Sequence, residues 1–207
     1  MIGLIDYGMG NLRSVYHALE MVGSDVQLCG RPEDLADVEK VVLPGVGAFG
    51  RCMDNLRSRG WVEALEEAVH QEGKPILGIC LGMQVMATRG FEFGEHVGLG
   101  WFDADVVRLT PEDTALRVPH IGWNGTLYDP SNPLFKQLPK NPDFYFVHSY
   151  HFRCHEEADV AATCEYGGPF TAAVRKGHVF GTQFHPEKSQ EYGLRVLENF
   201  ARWKPHA

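Results

Sequence analysis

The 207-residue chain has 44% apolar and 22% charged side chains, close to the average of folded globular proteins. That excludes a disordered, collagen-like or low-complexity chain and fits one compact domain, residues 1–207, better than two. With 19 basic against 27 acidic residues the formal charge is −8, a sign that repels nucleic-acid phosphates and anionic lipid, so neither is an expected partner. No apolar stretch approaches the roughly 20 residues that span a bilayer, and the start Met1-Ile2-Gly3-Leu4-Ile5-Asp6 lacks a basic signal segment. A cytoplasmic protein is expected. The five cysteines (29, 52, 80, 154, 164) are odd in number and contain no C-x-x-C pair, which suggests neither a disulfide framework nor a zinc knuckle.

Along the chain, residues 2–7 read as a strand. Asn11 follows as an N-cap, and Leu12, Val15, Leu19 and Val22 recur at helical spacing until Gly23. A second strand at residues 41–43 breaks at Pro44-Gly45-Val46-Gly47. After a short helical piece, Trp61, Ala64, Leu65, Ala68 and Val69 mark the buried face of a helix ended by Gly73. A third strand at residues 76–79 runs into Cys80-Leu81-Gly82-Met83-Gln84-Val85-Met86, a strand-to-helix corner carrying a thiol. Beyond it, Gly/Pro/Asn turns separate β-rich runs at residues 105–109, 144–152, 170–174 and 179–184, and an amphipathic helix at about 190–203 turns Val196, Leu197, Phe200 and Ala201 inward. The expected fold is α/β: a mostly parallel central sheet with helices on both faces and an added antiparallel β portion.

Gly78-Ile79-Cys80-Leu81-Gly82 has the nucleophile-elbow pattern, in which small residues two before and two after the nucleophile make room for a strained turn. The sulfur would sit at a helix N-terminus, where the macrodipole and free N–H groups favour thiolate, with the Leu81 N–H as an oxyanion donor. The alternative is a buried core cysteine. Among ten histidines, His185 stands out, because His185-Pro186-Glu187 places an imidazole and a carboxylate two apart in extended chain, facing the same way. Glu187 would orient His185 as a base, the arrangement of a catalytic triad, and a polar turn is the alternative.

Gly45-Val46-Gly47-Ala48-Phe49-Gly50 is a literal G-x-G-x-x-G, but Glu63, Glu66 and Glu67 lie inside a helical pattern rather than closing the next strand, so dinucleotide binding is discounted. The loop can instead turn backbone N–H groups toward Cys80. His148, His151, Cys154 and His155 would fall on both faces of a strand, and no metal site is expected there.

Tyr7-Gly8-Met9-Gly10-Asn11-Leu12, Pro44-Gly45-Val46-Gly47, Gly78-Ile79-Cys80-Leu81-Gly82-Met83-Gln84, His120-Ile121-Gly122-Trp123-Asn124, His148-Ser149-Tyr150 and His185-Pro186-Glu187-Lys188-Ser189 together resemble, nearly end to end, the glutaminase subunits of imidazole glycerol phosphate synthase. These are a branch of the class I (triad) glutamine amidotransferases. The resemblance implies a flavodoxin-like fold and a single glutamine amidotransferase domain without cofactor or metal. It implies hydrolysis of glutamine to glutamate, with ammonia passed to a barrel-shaped cyclase subunit, the heterodimer partner, which makes imidazole glycerol phosphate and AICAR in histidine biosynthesis.

Carried over by position, Cys80 is the nucleophile forming a glutamyl thioester, His185 the general base and then acid, and Glu187 the orienter. Leu81 with the backbone at Val46 and Gly47 would hold the oxyanion, after a loop rearrangement signalled by the partner. Gly47, Gln84, Glu92, Ser149 and Tyr150 match positions that hold glutamine; Asn11, Trp123, Tyr145 and Lys188 match positions that face the cyclase. Where the family shows an acidic Ser-Glu-Glu-Gly stretch this chain reads Gly90-Phe91-Glu92-Phe93-Gly94; the spacing from Cys80 selects Glu92, with Glu95 as the alternative. Two other readings stand beside this one: a paralogous amidotransferase feeding a different synthase, such as one amidating a surface sugar, and a non-enzymatic thiol sensor or interaction module.

Overall fold

The computed structural model describes residues 1–205. Strands β2 (Val26–Cys29), β1 (Ile2–Ile5), β3 (Lys40–Gly45), β4 (Ile76–Cys80) and β13 (Val179–Thr182) lie side by side in that order, all parallel. Strands β1, β3, β4 and β13 are buried along their whole length, which is why they read as continuous apolar runs instead of alternating ones. Alternation decides which layer each side chain joins. Val41 and Leu43 pack with Phe49, Leu56 and Trp61 under helices α2 (Phe49–Ser58) and α3 (Trp61–Glu66). Val42, Leu77 and Ile79 pack with Val15, Leu19, Val196 and Phe200 under α1 (Leu12–Met21) and α5 (Gln190–Arg202). This is the expected mixed α/β sheet with helices on both faces.

The sheet continues from β13 through antiparallel β12 (Pro169–Lys176), β10 (Tyr150–Cys154) and β7 (Phe102–Arg108) to β5 (Ala87–Gly90) and β6 (His96–Val97). A branch leaves β12 through β11 (Val160–Glu165) to β8 (His120–Tyr128) and β9 (Asp143–His148), all antiparallel. The run expected at 144–152 is two strands, broken at Ser149, because β9 pairs with β8 while β10 pairs with β7 and β12. The chain crosses between these at the wall of the site described below.

Several local expectations are refined. Strand β3 runs through Pro44 to Gly45, with Pro44 beside Ile79; its carbonyl accepts a 2.8 Å hydrogen bond from the buried Tyr7 hydroxyl. Asn11 occupies the N-cap position of α1, but its side chain makes no capping hydrogen bond. The helix expected to run to Gly73 is α-helical only to Glu66 and continues as a π turn at Glu67–Gln71, ahead of Gly73 at φ +73°. At the opposite end of the sheet from the site, Lys40 Nζ donates to the carbonyls of Phe200, Ala201 and Trp203. A cation thus satisfies the last carbonyls of α5 and fixes that helix to β3. Among the described residues, no helix is long and apolar enough to cross a membrane.

Candidate active site

Cys80 ends β4 with φ 54° and ψ −108°, a left-handed conformation that L side chains adopt only when their surroundings enforce it. The surroundings are two glycines. A Cβ on Gly82 would lie 1.9 Å from the Leu43 carbonyl oxygen, and one on Gly78 would lie 2.7 Å from the Gly82 carbonyl and the Met83 nitrogen. The elbow's small residues are therefore demanded by backbone packing, as the local pattern implied. One physical expectation changes. Helix α4 (Leu81–Gln84) is a single turn, so its macrodipole is small, and what it offers the sulfur is chiefly the N–H groups of a helix start.

His185 follows β13, its N–H donating to the Tyr145 carbonyl at 3.0 Å. Its Nδ1 lies 2.7 Å from Glu187 Oε1, both side chains being almost wholly buried. A carboxylate only accepts, so Nδ1 carries the proton, and Nε2 is left buried without a formed hydrogen bond. Burial alone would lower the imidazole's pKa; Cys80 and Glu187 outweigh it and raise it to about 10. A ring so raised carries a positive charge beside Cys80 at neutral pH. Burial pushes Cys29 up to about 11 and Cys52, Cys154 and Cys164 up to about 12, which keeps these four as neutral thiols.

Cys80 and His185 open into a cavity of about 430 Å³. Val46, Gly47 and Leu81, the expected oxyanion backbone, line it, as do Gln84, Glu92, Ser149 and Tyr150, the expected glutamine contacts. Glu187 sits behind His185 and does not reach it. Gly47 has φ +101° and is exposed along with Val46, whereas Gly45 is paired with Cys80 in the sheet and leaves no room for a side chain, since a Cβ there would lie 2.8 Å from both the Gly82 nitrogen and the Tyr7 hydroxyl. Glu92 accepts the Phe49 N–H at 2.9 Å at the start of α2. Glu95 instead faces Arg89, at 3.5 Å, and does not line the cavity, so the geometry favours Glu92 over Glu95.

Of the expected partner-facing residues, Lys188 lines the cavity rim and stands 5.9 Å from the Tyr145 ring, which meets Trp123 edge-on at 5.9 Å. Trp123 is exposed beside Ile121 and Leu127, which point to the same side of β8. Asn11 is exposed at the head of α1, which packs against the Pro186–Lys188 turn. The G-x-G-x-x-G glycines serve packing: beyond Gly45, a Cβ on Gly50 would lie 2.5 Å from the His96 ring. Among the described residues, no three His, Cys, Asp or Glu side chains are grouped to hold a metal ion.

Two parts of the site escaped the sequence. Gln183, wholly buried, places Nε2 3.6 Å from Cys80 Sγ. The available signal was its position two residues before His185, in a segment that bends at residues 183 and 184 just past β13. The other is a buried imidazole pair, in which His120 Nδ1 lies 3.0 Å from His148 Nε2 and His148 Nδ1 lies 2.9 Å from the Tyr150 carbonyl. The carbonyl fixes the tautomer of His148, which donates through Nδ1, accepts from His120 Nδ1 at Nε2 and is therefore neutral.

Burial depresses both imidazole pKa values from 6.5, His120 to about 4 and His148 to about 3. The unfolded chain therefore binds protons that the folded chain does not, between about pH 6.5 and pH 3. Stability from this pair is complete above 6.5 and drains as pH falls through that window. In wild type the melting temperature should fall more steeply between pH 6.5 and 4 than in a His120→Gln/His148→Gln double variant, measured by scanning calorimetry; equal slopes would assign the acid sensitivity elsewhere.

The model of the family "Glutamine amidotransferase class-I" matches residues 3–203. The chain is 48% identical over 202 residues to "Imidazole glycerol phosphate synthase subunit HisH 1" of Campylobacter jejuni subsp. jejuni, covering 98% of this chain and 100% of that one. It is 46% identical over 214 residues to "Imidazole glycerol phosphate synthase subunit HisH" of Rhizobium meliloti, covering 99% of each. Among solved structures, a chain titled as a glutamine amidotransferase superposes with a TM-score of 0.74 at 22% identity over 97% of this chain and 98% of that one, which shows the fold. With the family model spanning nearly the whole chain and full-length relatives at this identity, the chain belongs to the class-I glutamine amidotransferases, in the group of imidazole glycerol phosphate synthase HisH subunits.

Proposed function

We propose that the chain hydrolyses glutamine to glutamate and ammonia as the glutaminase subunit of imidazole glycerol phosphate synthase, in histidine biosynthesis, with Cys80, His185 and Glu187 as its catalytic groups. The observation that carries this reading is the buried His185–Glu187 pair, 2.7 Å apart, on the cavity where Cys80 is held in a left-handed turn. A thiol sensor needs no oriented imidazole. In the first step the Cys80 sulfur attacks the carboxamide carbon, and the oxyanion forms against the Leu81 N–H and the backbone at Val46 and Gly47. The imidazolium of His185 gives its Nε2 proton to the departing nitrogen, so ammonia leaves and a thioester remains. The now neutral His185 takes a proton from water, the hydroxide attacks the thioester, and glutamate departs as the electron pair returns to sulfur. Glu187 balances the imidazolium charge and fixes its tautomer throughout.

Gln84, Glu92, Ser149 and Tyr150 hold the glutamine in this reading, and Asn11, Trp123, Tyr145 and Lys188 meet the barrel subunit. The exposed apolar side of β8 beside the cavity rim supports that placement, since ammonia released there leaves toward whatever covers Trp123. The test is glutamine-dependent formation of imidazole glycerol phosphate when the chain is mixed with a purified barrel cyclase and its phosphoribosyl substrate. Product with glutamine as the nitrogen source supports the assignment. Product only with added ammonia, or with a different synthase, would transfer the chain to the paralogous role.

A further inference from the structure

We propose that Gln183 is a further catalytic residue, whose carboxamide N–H donates to the Cys80 sulfur and whose direction is dictated by Gln84 and the Tyr150 carbonyl. The proposal rests on Cys80 being the nucleophile. A buried carboxamide can turn either its oxygen or its nitrogen toward a neighbour, and only the nitrogen stabilises a sulfur anion. Here the choice is settled by a chain of bonds that starts at the backbone. The Tyr150 carbonyl only accepts, so Gln84 presents its NH₂ to it, at 2.9 Å. The same Gln84 nitrogen lies 3.0 Å from Gln183 Oε1 and donates its second hydrogen there. With its oxygen occupied, Gln183 has its NH₂ toward Cys80 Sγ, at 3.6 Å.

Gln183 is 0% exposed, and its own backbone N–H is tied to the Ala172 carbonyl at 2.8 Å, so the donor is fixed before substrate arrives. Being two residues apart at the end of β13, Gln183 and His185 approach one sulfur from one stretch of chain. Their work differs. His185 moves protons. Gln183 holds negative charge on sulfur, both in the free enzyme and in the second half of the reaction, when the C–S bond breaks and the electron pair returns to sulfur. A hydrogen bond to a charged group is worth about 1.5–3 kcal/mol, roughly ten- to a hundredfold in rate.

The experiment compares the full chain with Gln183→Glu and Gln183→Leu, reading alkylation of Cys80 by iodoacetamide through peptide mass spectrometry at pH 7 and pH 10, together with glutamine turnover. Glutamate at 183 turns an acceptor toward the sulfur, and leucine offers nothing. Both variants should alkylate at least about tenfold more slowly at pH 7, and the deficit should shrink as the pH is raised toward 10 and more of the thiol ionises. A general loss of folding would instead expose the buried thiols Cys29, Cys52 and Cys164 to the reagent, which a local loss of the donor leaves unmodified. If Gln183→Glu does not melt cooperatively, Gln183→Leu carries the test. Wild-type alkylation at pH 7 and wild-type turnover in the folded variants would overturn the role of Gln183 while leaving Cys80 in place. Glutamine turnover by Cys80→Ala would overturn the nucleophile itself.

Discussion

Replacing His185 with Asn should lower glutamine turnover by about 10⁴-fold or more, and replacing Glu187 with Gln should cost about a hundredfold less, in line with triads in which the proton carrier outweighs its orienter. The structure gives the reason for the order. His185 is the group whose Nε2 is free on the sulfur's side of the pair, so without it no proton reaches the departing ammonia. Glu187 acts through His185 Nδ1 at 2.7 Å, and a glutamine carboxamide retains an oxygen there to accept that hydrogen. What is lost is the negative charge that helps raise the imidazole to about 10. Glu187→Gln removes the anion that balances a buried imidazolium and puts an NH₂ where Oε2 has no partner, so the variant should melt below wild type. Steady-state kinetics with thermal melts beside them check both statements. The reverse order of losses would mean that the two roles are exchanged.

The second large effect is activation by the barrel subunit. Pro44 is held through its carbonyl by Tyr7 and Gly45 is paired with Cys80 in the β3–β4 ladder, whereas Val46 and Gly47 are exposed beyond the strand and Gly47 sits at φ +101°. The peptide whose N–H would serve the oxyanion is thus less tethered than the strand before it. A donor aimed correctly is worth about 10²–10³ in rate. The isolated chain is expected to hydrolyse glutamine slowly and to gain about a hundredfold or more in kcat when the cyclase and its phosphoribosyl ligand are both present, with a small change in KM. Equal rates with and without the liganded partner would show that the loop is already competent.

The sequence disclosed the parts of the site whose causes are local. Gly78 and Gly82 announce the elbow because their Cβ atoms would strike backbone within a few residues or on the adjacent strand. His185 and Glu187 announce each other because they are two apart, although a 3-10 turn at Pro186–Lys188, and not the expected extended chain, brings them together. Gln183 and the His120–His148 pair were hidden because their partners are remote in sequence: Cys80 and Gln84 for the first, and each other across β8 and β9 for the second. Strand β8 itself was missed for a related reason. Its exposed side carries Ile121, Trp123 and Leu127 while His120 and Thr126 point inward, the reverse of the pattern by which a solvated strand is recognised. Strand β11 is built from Ala161, Ala162 and Thr163 with a register shift, too small and too irregular to signal a strand. Gly50 completes the literal G-x-G-x-x-G that was discounted as a dinucleotide site, and its missing side chain makes room for His96.

Bonding of the Cys80 sulfur to the carboxamide carbon of glutamine is read out by rapid acid quenching of the chain with glutamine and the liganded cyclase, followed by peptide mass spectrometry. A glutamyl thioester on the peptide bearing Cys80, absent from Cys80→Ala along with glutamate formation, is the predicted result. An adduct on another residue, or glutamate produced at the wild-type rate by Cys80→Ala, would contradict it.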